Sequence, residues 1–210
     1  MYNLYQPLFT GRLSVSLPVL CFILTLFSTQ LVQAQNHTCI PDSLISNASQ
    51  FGALSEGDAI FPDVAYNPVE EEYLVVWMQN NSVLNDLYDI YGRRVTAVGG
   101  AFTYVDAPFK ISDFAMEVGR SAEPPAVAYG DVNGQRLFFV VWSDDRIGDD
   151  KKEIHGQFID ATDASFIDSN FQISNVGHHG VEFDGIEAAV VFNDNQEQFL
   201  VTWRDDRLQT

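Results

Sequence analysis

The chain repeats itself with a 63-residue period, and this recurrence restricts its fold more than any other feature. Tyr66, Tyr129 and Phe192 are spaced 63 apart, and Trp77, Trp142 and Trp203 are 65 and 61 apart. The first copy reads Asp63-Val-Ala-Tyr66 and then Tyr73-Leu-Val-Val-Trp77. The second has Ala126-Val-Ala-Tyr129 and Leu137-Phe-Phe-Val-Val-Trp142, and the third Ala189-Val-Val-Phe192 and Phe199-Leu-Val-Thr-Trp203. Later parts recur as well: Asp89-Ile-Tyr-Gly92 matches Glu153-Ile-His-Gly156, and Pro108-Phe-Lys-Ile-Ser112 matches Asn170-Phe-Gln-Ile-Ser174.

Each copy reads as four strands. A short apolar run ends in an aromatic, and a polar turn (Asn67-Pro-Val-Glu70, Gly130-Asp-Val-Asn-Gly134, Asn193-Asp-Asn195) leads to a second, β-branched and aromatic strand. A third strand is expected over Asp89–Val98 and Glu153–Ile159, and a fourth over Phe109–Ser112 and Phe171–Ser174. No sustained 3.6-residue apolar period appears beyond the N-terminal run, so helix is expected to be minor. The second strand is nearly continuous in apolar residues, which implies burial on both faces. Four-stranded units stacked face to face supply that environment. The expectation is therefore all-β, with propeller-like four-stranded blades. A β-sandwich is the second architecture, but it leaves the 63-residue recurrence without a cause.

The succession of an apolar-Ala-Tyr strand, Tyr-Leu-Val-Val-Trp, Asp-Ile-Tyr-Gly and Phe-x-Ile-Ser resembles the propeller-type repeats of large secreted or cell-surface bacterial proteins, over about Phe61 to Arg207. The resemblance implies a fold and carries no activity. Dividing the chain by the repeat gives an N-terminal segment 35–60 containing one strand (Ser43-Leu-Ile-Ser46), repeat 1 over 61–123, repeat 2 over 124–186 and a partial repeat 3 over 187–210. Closed propellers have about 4 to 8 blades. The expectation is an incomplete propeller, completed by further blades of a longer chain or by self-association through exposed strand edges.

Residues 1–34 have the form of a secretory signal peptide. Arg12 is their only charge, Leu13–Leu31 is apolar, and Val32 and Ala34 stand at the minus three and minus one positions of a cleavage site after Ala34. The run also has the length of a membrane span, and the cleavage pattern favours export. Cys39 is then the sole cysteine of the mature chain, too few for an internal disulfide. Asn36, Asn47 and Asn80 open glycosylation sequons. The net charge is -18, and becomes -19 once Arg12 is removed, because 10 bases then face 29 acids. Such a surface repels phosphate backbones, which excludes nucleic acid as a partner, and points to an extracellular setting with glycan or protein partners.

The strand ends hold the most suggestive polar groups. Trp142-Ser-Asp-Asp-Arg146 recurs as Trp203-Arg-Asp-Asp-Arg207, while copy one has Trp77-Met-Gln-Asn-Asn81. Charges repeated in each unit read first as scaffold, so Asp145, Arg146, Asp206 and Arg207 are expected to cap strands and pair between units. Asp144, Asp145, Asp149 and Asp150 form an acidic loop that suits Ca²⁺, though not with the spacing of the roughly 12-residue EF-hand loop. His178, His179, Glu182 and Asp184 give a weaker zinc suggestion. No cofactor is required by the sequence. There is no Gly-x-Ser-x-Gly elbow, His-Glu-x-x-His, phosphate loop or sialidase-type Ser-x-Asp-x-Gly-x-Thr-Trp box. The expected function is a secreted or cell-surface binding or structural module without catalysis of its own. The alternative is a fragment of a carbohydrate-active, glycosidase-like propeller enzyme, since acids are plentiful and their separation is invisible in sequence.

Overall fold

The computed structural model describes residues 45–46, 59–80, 87–98, 101–113, 121–146, 151–176, 184–205 and 207. The signal-like run, Cys39 and the loops holding Asp149, Asp150, His178, His179 and Glu182 lie outside them, as does Asp206. The described residues contain no helix, and therefore none long and apolar enough to cross a membrane.

Among the described residues eleven strands form three antiparallel sheets. The first contains β1 (Ala59–Asn67), β2 (Glu72–Asn80), β3 (Tyr88–Val98) and β4 (Ala101–Tyr104), with β5 (Phe109–Lys110) also pairing with β3. The second contains β6 (Ala126–Val132), β7 (Gln135–Asp144), β8 (Glu153–Asp160) and β9 (Phe166–Gln172), and the third β10 (Gly185–Asn193) and β11 (Gln198–Asp205). Apart from β5, which pairs with β3, strand order follows chain order. The fourth strand differs from the expectation. It starts earlier, at Ala101 and Phe166, and in the first sheet it is split into β4 and β5; in the second it stays whole but shifts register between Gly156 and Phe158.

The hairpins repeat in detail. Glu71, Gly134 and Glu197 stand at the same position of successive copies, and all three have positive φ, at 55°, 81° and 51°. The preceding polar residue closes each turn: Asn67 Oδ1 accepts from the Val69 N–H at 3.0 Å, Asp131 Oδ1 from Gly134 at 2.7 Å and Asn193 Oδ1 from Asn195 at 3.0 Å. These are side chains whose oxygens mimic a backbone turn. The first strand also carries a recurring irregularity. Its register shifts between Ile60 and Asp63 and between Ile186 and Ala189, with Phe61 and Glu187 at positive φ; Pro124 and Pro125 interrupt the corresponding stretch of the second copy.

The sheets pack on one another through alternate faces of their second strands. Leu74, Val76 and Met78 of β2 meet Phe138, Val140 and Trp142 of β7, all buried, with Ile90, Ile111, Ile159 and Ala161 completing the core. The opposite face of β2, Val75 and Trp77, packs with Tyr91 and Val95 and is touched by Ile45. The opposite face of β7 presents Phe139, whose ring meets Phe199 of β11 at 5.3 Å between centroids. β1 adjoins β6, and β6 adjoins β10. Polar bonds cross the same boundaries: the Val127 N–H donates to Asp63 Oδ2 at 2.9 Å, and Asn133 N–H to Glu197 Oε2 at 2.8 Å.

The two later motifs form one clasp. In the first sheet the Ile111 N–H donates to the Ile90 carbonyl at 2.7 Å, the Ile90 N–H to Ser112 Oγ at 3.0 Å, and Ser112 Oγ–H to Asp89 at 3.0 Å. The second repeats it, with Ile173 to Ile154 at 2.7 Å, Ile154 to Ser174 Oγ at 2.8 Å, and Ser174 to Glu153. The glycine is required by space: a Cβ on Gly92 would lie 2.8 Å from Ile111 Cδ1, and one on Gly156 2.7 Å from Phe139 Cε2. A methyl group at Gly156 meets a ring stacked on Phe158 at 4.1 Å, which cannot swing aside. G156A is expected to lower unfolding free energy by about 1–3 kcal/mol in urea titration. A neutral substitution would mean that the ring is loosely held.

Candidate functional site

The end of β7 gathers the strongest polar cluster of the described residues. Trp142 and Asp144 are two apart, so both project from the same face of the strand, and the indole Nε1–H donates to Asp144 Oδ2 at 2.6 Å. The chain then turns back, and the Arg146 guanidinium grips the same carboxylate: Nε lies 2.9 Å from Oδ1 and Nη2 2.7 Å from Oδ2, while the Arg146 N–H donates to Oδ1 at 3.1 Å. Arg146 Nη1 reaches Asp113 of the preceding unit at 3.0 Å, and Nη2 lies 3.4 Å from Asn170 Oδ1. Asn170 in turn bonds the Asp113 N–H at 2.8 Å and, through Nδ2, the Ile111 carbonyl at 3.1 Å. Asp144 is fully buried, and a buried carboxylate needs a partner of this kind.

The arrangement is a unit-by-unit feature. Trp77 Nε1 donates to Gln79 Oε1 at 3.0 Å, so an amide serves where copy one lacks the Arg. Arg207 grips Asp205 through Nε at 2.9 and 2.8 Å, and its hydrogen bond holds the Asp205 carboxyl below the usual range. The carboxylate that faces each Arg is thus the first Asp of the pair, Asp144 or Asp205. Asp145 has a different job: Oδ1 accepts the Ser121 N–H at 2.9 Å, and Ser121 Oγ accepts from Tyr88 N–H at 3.2 Å, tying the linker to both sheets. Burial raises the Asp145 pKa against the opposing effect of that bond. In the next copy Asp184 takes the place of Ser121, accepting from the Lys152 N–H at 2.9 Å as Ser121 Oγ accepts from Tyr88.

His155 lies beside this cluster, with Nδ1 3.3 Å from Asp144 Oδ1 and 3.1 Å from the Glu153 carbonyl. Burial pushes its pKa down, outweighing the pull of Asp144, and the Arg146 charge adds to the depression. Among the described residues no three His, Cys, Asp or Glu side chains are grouped as a metal site requires. Of the calcium candidates, Asp144 and Asp145 have oxygens occupied by Trp, Arg and backbone donors, and Asp149 and Asp150 fall outside the described residues.

The other repeated aromatics are packing elements. Tyr66 meets Tyr73 in a tilted contact at 4.7 Å, Trp77 stacks on Tyr91 at 6.4 Å, Tyr129 meets Phe138 edge-on at 5.6 Å, and Phe192 meets Phe199 at 4.7 Å. Trp203 is half-buried on β11. One opening is also present: a groove of about 480 Å³ between the second and third sheets, walled by Phe139, Phe158, Phe171, Ile173, Phe199 and Val201. Sequence reading missed this groove, because its rings come from four strands. The Phe-rich second copy, Leu137-Phe-Phe beside Phe158 and Phe171, was the available signal.

The native state disfavours a charge on His155, so its folded pKa lies below the ordinary value of about 6.5. As pH falls through about 6.5 the unfolded chain takes up a proton that the folded chain does not, and stability is lost on the acid side. The raised pKa of Asp145 works oppositely, at lower pH. Chemical denaturation at pH 7.5 and 5.5 should show a loss for the native chain that is smaller in H155Q; equal losses would place the slope elsewhere. Comparison with known proteins returned no matching family model and no similar curated protein.

Proposed function

We propose that this chain is a secreted or cell-surface segment of a propeller-type repeat array, acting as a binding or structural module without catalysis of its own. The signal-like N-terminus and the acidic surface support the location. The fold supports the array: like sheets stack in chain order, and their first strands adjoin one another, β1 by β6 and β6 by β10. Successive four-stranded units turning about their first strands are the build of propeller blades. A two-sheet sandwich would bury one face of each sheet, whereas β7 is buried along its length against neighbours on both sides.

The observation that carries the absence of catalysis is the fate of the strand-end charges. Asp144 and Arg146 satisfy each other and bind neighbouring strands, and a related pair recurs at Asp205 and Arg207. Charges that satisfy each other in two of the three units, where the first uses the Gln79 amide, are scaffold, and leave loops and grooves as the contact surfaces. Glycans or proteins of the cell surface are the partners in this reading. The chain purified from secreted material and applied to glycan and protein arrays is expected to bind saturably to one class, with no reducing-sugar release on the bound glycans. Turnover of any bound glycan would replace this reading with that of a carbohydrate-active enzyme.

A further inference from the structure

The third sheet is built like the first half of the other two, and the groove beside it has the form of an unfilled strand position. The register of β10 on β11 reproduces that of β1 on β2 residue for residue: Asn193 faces Gln198 as Asn67 faces Glu72, and Gly185 faces Asp205 as Ala59 faces Gln79. Beyond β2 lies β3, along the full strand, and beyond β7 lies β8, from Leu137 to Asp144. Among the described residues β11 pairs with β10 alone, so its far edge presents a row of backbone donors and acceptors.

What the edge would hold is visible at the preceding boundary. Between the first and second sheets, Ile159 and Ala161 at the end of β8 are fully buried with Leu74 and Phe138. By the repeat correspondence those two partners become Phe139 and Phe199 at the next boundary, and there the groove of about 480 Å³ stands in place of an Ile and an Ala. The outward face of the third sheet is bare as well: Val191 and Leu200 are 57% and 59% exposed, whereas Leu74 and Phe139, equivalents of Leu200, are buried. At the other end of the edge, Arg207 already grips Asp205 as Arg146 grips Asp144, whose neighbour across the ladder is Glu153.

We infer that the β11 edge and the aromatic groove beside it are one acceptor site for an extended strand, and that its occupant is a third-strand segment of the same repeat, with an acidic residue followed by Ile-x-Gly and then two apolar residues. The inference rests on reading β10 and β11 as the opening strands of a repeat unit. Main-chain bonds along β11 supply affinity, and the groove selects alternate side chains, as in other strand additions. The register follows from β7 and β8. The acid lies opposite Asp205, the Ile opposite Arg204, the Gly two positions further along, and the residue corresponding to Ile159 opposite Phe199 with its side chain in the groove. A second copy of the chain is a poorer occupant, because its own third strands, β3 and β8, are already paired on both edges.

The probe is a synthetic peptide with the sequence of Lys152–Ala161, labelled for fluorescence anisotropy and titrated with the full, unmodified chain. Saturable one-to-one binding is expected. Replacing the Ile159 equivalent in the peptide by Asp, or N-methylating the peptide at alternate ladder amides, should each weaken binding at least tenfold. Changing the peptide leaves the folding of the protein untouched. No binding, or binding indifferent to N-methylation, would overturn strand addition. So would concentration-dependent self-association in sedimentation that the peptide fails to reverse, which would assign the face to a second copy. None of these outcomes bears on the array assays above, where the module reading fails only through turnover.

Discussion

A strand that is apolar on both faces cannot border water on either, and β2 and β7 are such strands. Each needs cover on both faces, which like sheets supply to β7 on both sides and to β2 on one, while Val75 and Trp77 on the other face of β2 pack with Tyr91, Val95 and Ile45. Apolar area removed from water contributes about 25 cal/mol per Å², so a Leu, Val, Phe or Trp row interleaved with its equivalent in the next unit supplies most of the driving force. The exception supports the rule. β11 alternates between half-buried and exposed along its length, because one of its faces meets Phe139 and the other meets no neighbour among the described residues.

Stacking by burial alone would leave the sheets free to slide, and the polar groups remove that freedom. The acid-Ile-x-Gly and Phe-x-Ile-Ser segments close on each other through a serine that accepts a backbone N–H and donates to the carboxylate, which fixes the fourth strand against the third. The Trp-x-Asp-x-Arg cluster then ties strand end, turn and preceding unit together, through Arg146 to Asp113 and Asn170 to Ile111. Each carboxylate is buried only where donors meet it, so the strong negative charge of the chain is partly spent inside the scaffold.

The strands and their order were legible in the sequence because the 63-residue period reports packing that recurs: the aromatic before each turn, the Trp at each strand end and the glycine under a neighbouring side chain. The sequence marks Asp145 and Arg146 as residues that cap the strand and pair between units, without saying which acid Arg146 meets; Asp144 holds Arg146, and Asp145 serves the Ser121 backbone. Neighbouring acids in a sequence are equivalent until the pleat of the strand decides which one shares a face with Trp142. The bulged start of the first strand was invisible too, since left-handed φ at Phe61 and Glu187 contradicts what those residue types prefer alone. The aromatic groove depends on Phe139, Phe158, Phe171 and Phe199 meeting from four strands, a long-range coincidence that no local pattern records.

Coverage of the second strand by its neighbours is the central claim, and native-state hydrogen exchange tests it strand by strand. Amides of β7, covered on both faces and paired on both edges, should exchange only through global unfolding, whereas those of β11, bare on one face, should exchange orders of magnitude faster through local opening. Equal protection of β7 and β11 would contradict the account, because it would mean that order in these sheets does not depend on a neighbouring unit on each side.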